Sequence, residues 1–209
     1  MNISEVTCLI LCGGKGERAT HLPEGCPKFL TPIREDKVFA NYLLEYLANQ
    51  GIKKIVLSLG HYKEEIIQFV SKLETSIDIH WDWDLRLLGP LAAIEHAINS
   101  RYSAGFKLLN TNPIMVINGD TFLDVDLNYA LSKFKRTKDI GHVFARKYPS
   151  GLEGELFHCG ITFYSQRCLK QGLVSEKLIN IPITKSNYLD IGTPEGYESI
   201  ENWLYSVNA

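Results

Sequence analysis

Residues 6–32 read Val6-Thr-Cys-Leu-Ile-Leu-Cys-Gly-Gly-Lys-Gly-Glu-Arg-Ala-Thr-His-Leu-Pro-Glu-Gly-Cys-Pro-Lys-Phe-Leu-Thr-Pro32. Val6 to Leu11 is a short, mainly apolar run, which suits a strand buried on both faces of a parallel sheet. It stops at Gly13-Gly14-Lys15-Gly16. Residues 12–32 hold four glycines and three prolines, so they form a loop too long to be a mere connection. In an open α/β sheet, ligands bind outside the carboxyl ends of the strands, which is where this loop begins.

Outward from that stretch, strand and helix patterns alternate. Val38 to Gln50 carries Phe39, Tyr42, Leu43, Tyr46 and Leu47 on one stripe and stops at Gly51, an amphipathic helix with a glycine end. Lys54–Leu59 reads as a strand, Gly60-His61 as a turn, Glu64–Leu73 as a helix and Ile77–Trp83 as a strand. Pro90 opens a helix that runs to Asn99. Ile114–Ile117 is a fourth strand, ending in Asn118-Gly119-Asp120. Leu127–Phe134 is helical, His142–Arg146, Glu155–Tyr164 and Ile179–Thr184 are strands, and Pro194 opens a last helix to about Tyr205. Strands alternating with helices predict βαβ units. The expected fold is α/β, a Rossmann-like three-layer sandwich with a mostly parallel central sheet. Residues 1–209 are read as one domain, with a nucleotide-binding part over about 1–120 and a sugar-binding part over about 121–209.

Composition sets outer limits. Of 209 residues, 45% are apolar and 22% charged, with net charge −2. That balance is globular and gives no global drive toward nucleic acid or an anionic membrane. Five cysteines without a C-x-x-C pair, and no basic leader at the start, fit reduced thiols and a cytoplasmic location. No stretch reaches 18 apolar residues, so no membrane span is expected.

Three phosphate-binding patterns compete for the glycine loop. A P-loop needs G-x-x-x-x-G-K-[ST], and the Gly-Lys here is out of frame with no hydroxyl after it. Gly14-Lys-Gly16-Glu-Arg-Ala19 fits the letters of the dinucleotide fingerprint. However, a helix must start at once there, and Pro23-Glu-Gly-Cys-Pro27 forbids one of useful length. The third pattern is a loop wrapping a nucleoside triphosphate, with Arg18 and Lys28 as cations.

In that third form the chain resembles the sugar-phosphate nucleotidyltransferases. Their pattern is an apolar strand, G-G-x-G-x-R, a variable loop and P-K-x-L. Here these stand as Gly13 to Arg18 and Pro27-Lys28-Phe29-Leu30. The strand ending Val116-Ile-Asn-Gly-Asp120 resembles the family's strand ending in G-D. Tyr188-Leu-Asp190-Ile-Gly-Thr-Pro194-Glu-Gly-Tyr197 resembles its D-I-G-T-P-E-D-Y block. Residues 51–66 and the Asp190 block are most similar to the heptose- and hexose-1-phosphate guanylyltransferase branch. Gly89-Pro-Leu-Ala-Ala-Ile94 resembles the G-P-L-A-G-I of molybdenum-cofactor guanylyltransferases, and Leu88-Gly89 matches the nucleoside-lining loop.

The resemblance implies attack of a sugar 1-phosphate on the α-phosphorus of a nucleoside triphosphate, with GTP favoured, releasing pyrophosphate and serving nucleotide-sugar and polysaccharide biosynthesis. It implies Mg²⁺ held by Asp120 and Asp190, two carboxylates of the kind that ion uses beside phosphate oxygens. Arg18, Lys28 and Asp120 become the catalytic set. Leu11, Cys12, Gly13, Gly14, Lys15 and Gly16, with Arg18 and Gly89, become the nucleotide contacts. Gly160, in His158-Cys-Gly160 where the family has N-A-G, becomes the sugar contact. The segment between Asp120 and Gly160 lacks the family's Glu-Lys pair; Glu153, Glu155 and Lys185 have no motif match. That departure leaves a second reading, a non-catalytic nucleotide or sugar sensor.

Overall fold

The computed structural model describes residues 2–17, 19–34, 36–83, 89–100, 108, 113–134, 139–147, 157–173 and 178–207. Its centre is β1 (Thr7–Leu11), with β4 (Lys54–Leu59) on one side and β6 (Ile114–Asn118) on the other, both parallel to it. β5 (Asp78–Trp83) extends the parallel half beyond β4. Side chains alternate across these strands as the pleat requires. Cys8, Ile10, Ile55, Leu57, Met115 and Ile117 face one core. Leu9, Val56, Ile114 and Val116 face the other. That double burial explains the continuous apolar runs in the sequence.

Helices cover both faces. α1 (Phe39–Gln50), α2 (Lys63–Val70) and α4 (Leu127–Phe134) bury their apolar stripes in the first core. α3 (Pro90–Asn99) and α5 (Gln166–Lys170) pack on the second. The fully buried Phe39, Leu43 and Leu47 of α1 stabilise it by about 1.5–3 kcal/mol each. α1 ends at Gly51, as its sequence predicts.

The second half of the sheet is mixed. Its eight-stranded order is β5-β4-β1-β6-β9-β8-β10-β7, with β7 (Thr121–Asp124), β8 (Ile140–Lys147), β9 (Phe157–Tyr164) and β10 (Leu178–Asp190). β9 is antiparallel to both neighbours, β8 and β10 are parallel, and β7 is antiparallel to β10. Six strands therefore share one direction, and β7 and β9 run against it. Further elements are a short hairpin, β2 (Pro32–Arg34) with β3 (Lys37–Val38), two 3-10 turns at Ile3–Glu5 and Lys28–Leu30, and α6 (Pro194–Val207).

Only Gly119 and Asp120 separate β6 from β7. Three steps of chain span at most about 11 Å, whereas four strand steps in a flat sheet would be about 19 Å. The mixed half must therefore curl until its edge strand returns to the end of β6. That curl sets Asp120 beside the end of β10.

Several elements differ from expectation. β7 has four residues and α5 five, too short to show a period; α5 is held by its Ser165 cap on the Cys168 N–H. β10 continues past the expected end at Thr184, and its polar Lys185-Ser-Asn187 run spans a register shift against β8. Among the described residues, no helix is long and apolar enough to cross a membrane.

Candidate active site

The carboxyl ends of β1, β4 and β6 open into a cleft of about 640 Å³. Its walls are Leu11 to Glu17 from the glycine loop, Lys28 and Phe29, Ser58 and Leu59, the start of α3 at Gly89 and Pro90, and Asn118-Gly119-Asp120. The expected contacts Leu11, Cys12, Gly13, Gly14, Lys15, Gly16, Gly89, Lys28 and Asp120 thus share one cavity. Arg18 lies outside the described residues, as do Leu88, Glu153 and Glu155. Residues 12–17 and 19–27 form no helix, which removes the structural context that a dinucleotide fingerprint needs.

Backbone contacts fasten the loop. The Cys12 N–H donates to the Ser58 carbonyl at 2.8 Å, and the Gly119 N–H to the Leu11 carbonyl at 3.0 Å. Gly60 crosses so close to Gly13 that a Cβ on it would stand 2.8 Å from the Gly13 Cα. The expected turn at Gly60-His61 is therefore also a support for the loop, and His61 donates its N–H to the Gly13 carbonyl at 3.4 Å. Cys12 is a packing group here. Burial, and then the Asp120 charge, push its thiol up and keep it protonated. Burial does the same to Cys8.

Asp120 and Asp190 are 70 positions apart, and the sheet register brings them together. Asp190 pairs with Thr121 across β10 and β7, and the Ile191 N–H donates to the Asp120 carbonyl at 3.1 Å. The Lys28 Nζ donates to Asp120 Oδ2 at 2.9 Å, a partly buried, charge-assisted bond. Asp190 Oδ1 accepts from the Gly192 N–H at 2.8 Å. All three charged groups surround Gly192. A Cβ there would lie 2.8 Å from Lys28 Nζ, 2.9 Å from Asp190 Oδ1 and 3.6 Å from Asp120 Oδ2. Two carboxylates and a lysine thus share one small space that only a glycine leaves open. Hard oxygen donors from two carboxylates fit a small divalent cation that completes its shell with water and phosphate oxygens.

The sequence reading missed several parts of this site. Ser58, Leu59 and Phe29 line the cleft but are ordinary strand and turn residues in sequence. The His21 Nε2–H donates to the Ile191 carbonyl at 2.9 Å, so the variable loop is tied to the Asp190 segment. Gly192 lies within the quoted Asp190 block, and its closeness to two acids and a lysine is visible only in three dimensions. Lys15 pairs with Glu17 at 3.5 Å on an exposed surface, a contact worth little. Gly160 packs against Asn118 and Thr121 at the edge of the cleft: its Cβ would stand 2.7 Å from Asn118 Nδ2. Trp81 packs against the first core, whereas Trp83 is 49% exposed with Lys63 over its ring at 5.1 Å.

Residues 8–171 match the model of the MobA-like NTP transferase domain. A D-glycero-α-D-manno-heptose 1-phosphate guanylyltransferase from Campylobacter jejuni is 37% identical over 121 residues, 57% of this chain and 50% of that protein. A protein of the same description from Aneurinibacillus thermoaerophilus is 33% identical over 119 residues, 57% of this chain and 48% of its own. The chain thus spans about half the length of these relatives. Among solved structures, HddC from Yersinia pseudotuberculosis superimposes with a TM-score of 0.71 at 22% identity, covering 95% of this chain and 99% of that one. It has also been solved complexed with GMP-PN, at 21% identity and the same TM-score. Similarity at this level of identity establishes the α/β fold.

Proposed function

The chain belongs to the family of MobA-like NTP transferase domains, and from that premise we propose that it transfers a nucleotidyl group from GTP to a heptose or hexose 1-phosphate. The observation that carries this reading is the convergence of Lys28, Asp120 and Asp190 around Gly192, beside the glycine loop. In the reaction, a phosphate oxygen of the sugar 1-phosphate bonds to the α-phosphorus of the triphosphate. The bond from that phosphorus to the bridging oxygen breaks, and pyrophosphate leaves with both electrons of that bond. No protein nucleophile is required. The chain positions the two substrates and neutralises charge on the phosphates.

The roles divide by element. Backbone N–H groups of residues 13–16 and the Lys15 ammonium receive the triphosphate. Arg18 is assigned to the same phosphates through the motif. Lys28 moves its charge between Asp120 and the reacting phosphate oxygens. Ser58, Leu59, Gly89 and Pro90 form the base side of the cleft. Nucleotidyltransferases of this family generally use a divalent metal; we assign it as Mg²⁺, held by Asp120 and Asp190. When bound, that ion supplies Lewis-acid stabilisation of charge on the phosphate oxygens. The guanine preference rests on the descriptions of the two heptose relatives and on the GMP-PN complex. We further read residues 1–120 as the nucleotide part and residues 121–209 as the acceptor part of one domain, meeting at Asp120.

Pyrophosphate release tests this directly. The protein is mixed with Mg²⁺, each of GTP, ATP, CTP, UTP and dTTP, and a panel of heptose and hexose 1-phosphates. Release is expected with GTP and one of these acceptors, and is lost in Asp120→Ala. Release with no pair, from protein that still binds GTP, would favour a sensor over an enzyme.

A further inference from the structure

Asp190-Ile-Gly-Thr193 is a turn whose middle peptide could stand in two ways. The Thr193 N–H donates to the Asp190 carbonyl at 3.1 Å, which makes Asp190 the first and Thr193 the fourth residue of a β-turn. Aspartate is favoured at the first position, and a glycine at the third suits the type II turn, which needs φ > 0 there. Yet neither Ile191 nor Gly192 has a positive φ, so the turn has the type I sense. The two types differ by a flip of the peptide between the second and third residues, here the Ile191 C=O and the Gly192 N–H. In the type I sense the Gly192 N–H reaches back to Asp190 Oδ1 at 2.8 Å. After a flip that N–H would point the other way, and the carboxylate would lose it.

A side chain 170 positions away in sequence holds this peptide in the type I sense. The His21 ring meets the Ile191 carbonyl at 2.9 Å. A carbonyl only accepts, so Nε2 carries the proton and donates. The peptide is a planar trans unit, with its C=O and N–H pointing in opposite directions. His21 therefore holds one end of that plane, and the Asp190 carboxylate holds the other. Donation to the carbonyl also polarises the amide and strengthens its N–H as a donor. Ile191 is fixed on its other side too: its own N–H donates to the Asp120 carbonyl at 3.1 Å, and its side chain is fully buried. The His21 ring is braced in turn. It packs against Tyr197 with centroids 6.2 Å apart, and the Tyr197 hydroxyl donates to the Pro32 carbonyl at 2.9 Å. The segment that carries Lys28 is thus tied at both ends, at His21 and at Pro32, to residues 190–197.

Resting on the nucleotidyl-transfer reading above, in which Asp190 is a cation ligand, we propose that His21 is a positioning residue for the divalent cation. It acts through the Ile191–Gly192 peptide, which it holds in the one orientation that keeps the Gly192 N–H on Asp190 Oδ1. A carboxylate on a turn free to flip would have to be ordered when the cation binds, at a cost in affinity. With the peptide held, the carboxylate is ordered beforehand, as groups behind a metal ligand commonly ensure. The variable loop between the glycine loop and Lys28 then has a task of its own, and that task runs through a backbone amide rather than through contact with the substrates.

Mn²⁺ titration followed by electron paramagnetic resonance, with GTP saturating for each variant, tests this, and melting curves serve as the folding control. His21→Phe keeps a ring against Tyr197 and removes the donor. It is expected to weaken Mn²⁺ binding about tenfold while Tm stays within about 2 °C. His21→Gln puts an amide donor near the place of Nε2 and is expected to stay within about threefold of the wild type. In turnover, His21→Phe is expected to need about tenfold more Mg²⁺ for half-maximal rate, with KM for GTP unchanged. Wild-type Mn²⁺ affinity in His21→Phe would overturn the inference and leave nucleotidyl transfer standing. An equal loss in His21→Phe and His21→Gln would also overturn it, making the imidazole a packing group. A wild type that binds no Mn²⁺ beyond what GTP alone holds would bring down the cation reading and this inference together.

Discussion

The two halves of the sheet solve different problems. In the parallel half, β5-β4-β1-β6, every pairing is parallel and in register, and apolar side chains alternate into two cores. Its working parts are backbone: the glycine loop and the crossing of Gly13 with Gly60. In the mixed half, β9-β8-β10-β7, there are antiparallel pairs, a bulge and a register shift. Its working parts are side chains held at particular angles, Asp190 first among them. Regular pairing gives a stiff floor, to which the triphosphate of the proposed reaction would bind through N–H groups. Irregular pairing aims individual side chains, which in the proposed reaction would meet a second, differently shaped substrate. Asp120 stands at the join.

If the site belongs to both halves, losing a carboxylate from either should cost the same. Asp120→Ala and Asp190→Ala are each expected to lower kcat/KM by about a thousandfold. A wide gap between them in pyrophosphate release would assign the chemistry to one half. Lys28→Ala comes next, at about a hundredfold, because one charge on the reacting phosphates is lost. Lys28→Arg is expected to restore little, since a planar fork does not replace the compact ammonium paired with Asp120.

Two glycine substitutions separate floor from aim. Gly60→Ala forces a Cβ onto the Gly13 backbone, which cannot move aside. It is expected to cost about 1–3 kcal/mol and lower Tm by about 5 °C. Gly192→Ala meets the side-chain ends of Lys28 and Asp190 rather than backbone, so Tm is expected to stay within about 2 °C while kcat falls about tenfold. A large loss of Tm in Gly192→Ala would mean that the space is structural. The smallest effect is one of pH. Burial, and for His158 also its neighbour His142, lowers both histidines in the native state. At these two positions the unfolded chain therefore binds more protons than the native one below about pH 6.5, so their contribution to stability falls on acidification through that window and has no slope above it. Melting curves at pH 7.5 and 5.5 should show the loss, and His158→Phe should shrink it.

Legibility in the sequence follows the same division. β1, β4, β6 and α1 could be read because strands buried on both faces and an amphipathic helix leave strong periodic signals. Lys28 and Asp120 could be read because they sit one motif away from those strands. β7, α5 and the far end of β10 could not, because they are short or polar and owe their form to partners remote in sequence. The closeness of Asp190 to Asp120 depends on pairing across β7 and β10. In sequence, only the motif resemblance pointed to it. The bulge around Gly160 left no trace beyond a glycine within a strand, a weak signal of close backbone approach.

The shared carboxylate pair is the central claim, and it can be measured without turnover. Mn²⁺, as a spectroscopic substitute for Mg²⁺, would be titrated into the protein with GTP present and followed by electron paramagnetic resonance. A site built by both halves requires one Mn²⁺ per chain, with Asp120→Asn and Asp190→Asn each weakening it by about tenfold or more. Wild-type affinity in Asp190→Asn would contradict it, leaving the parallel half to hold the metal alone.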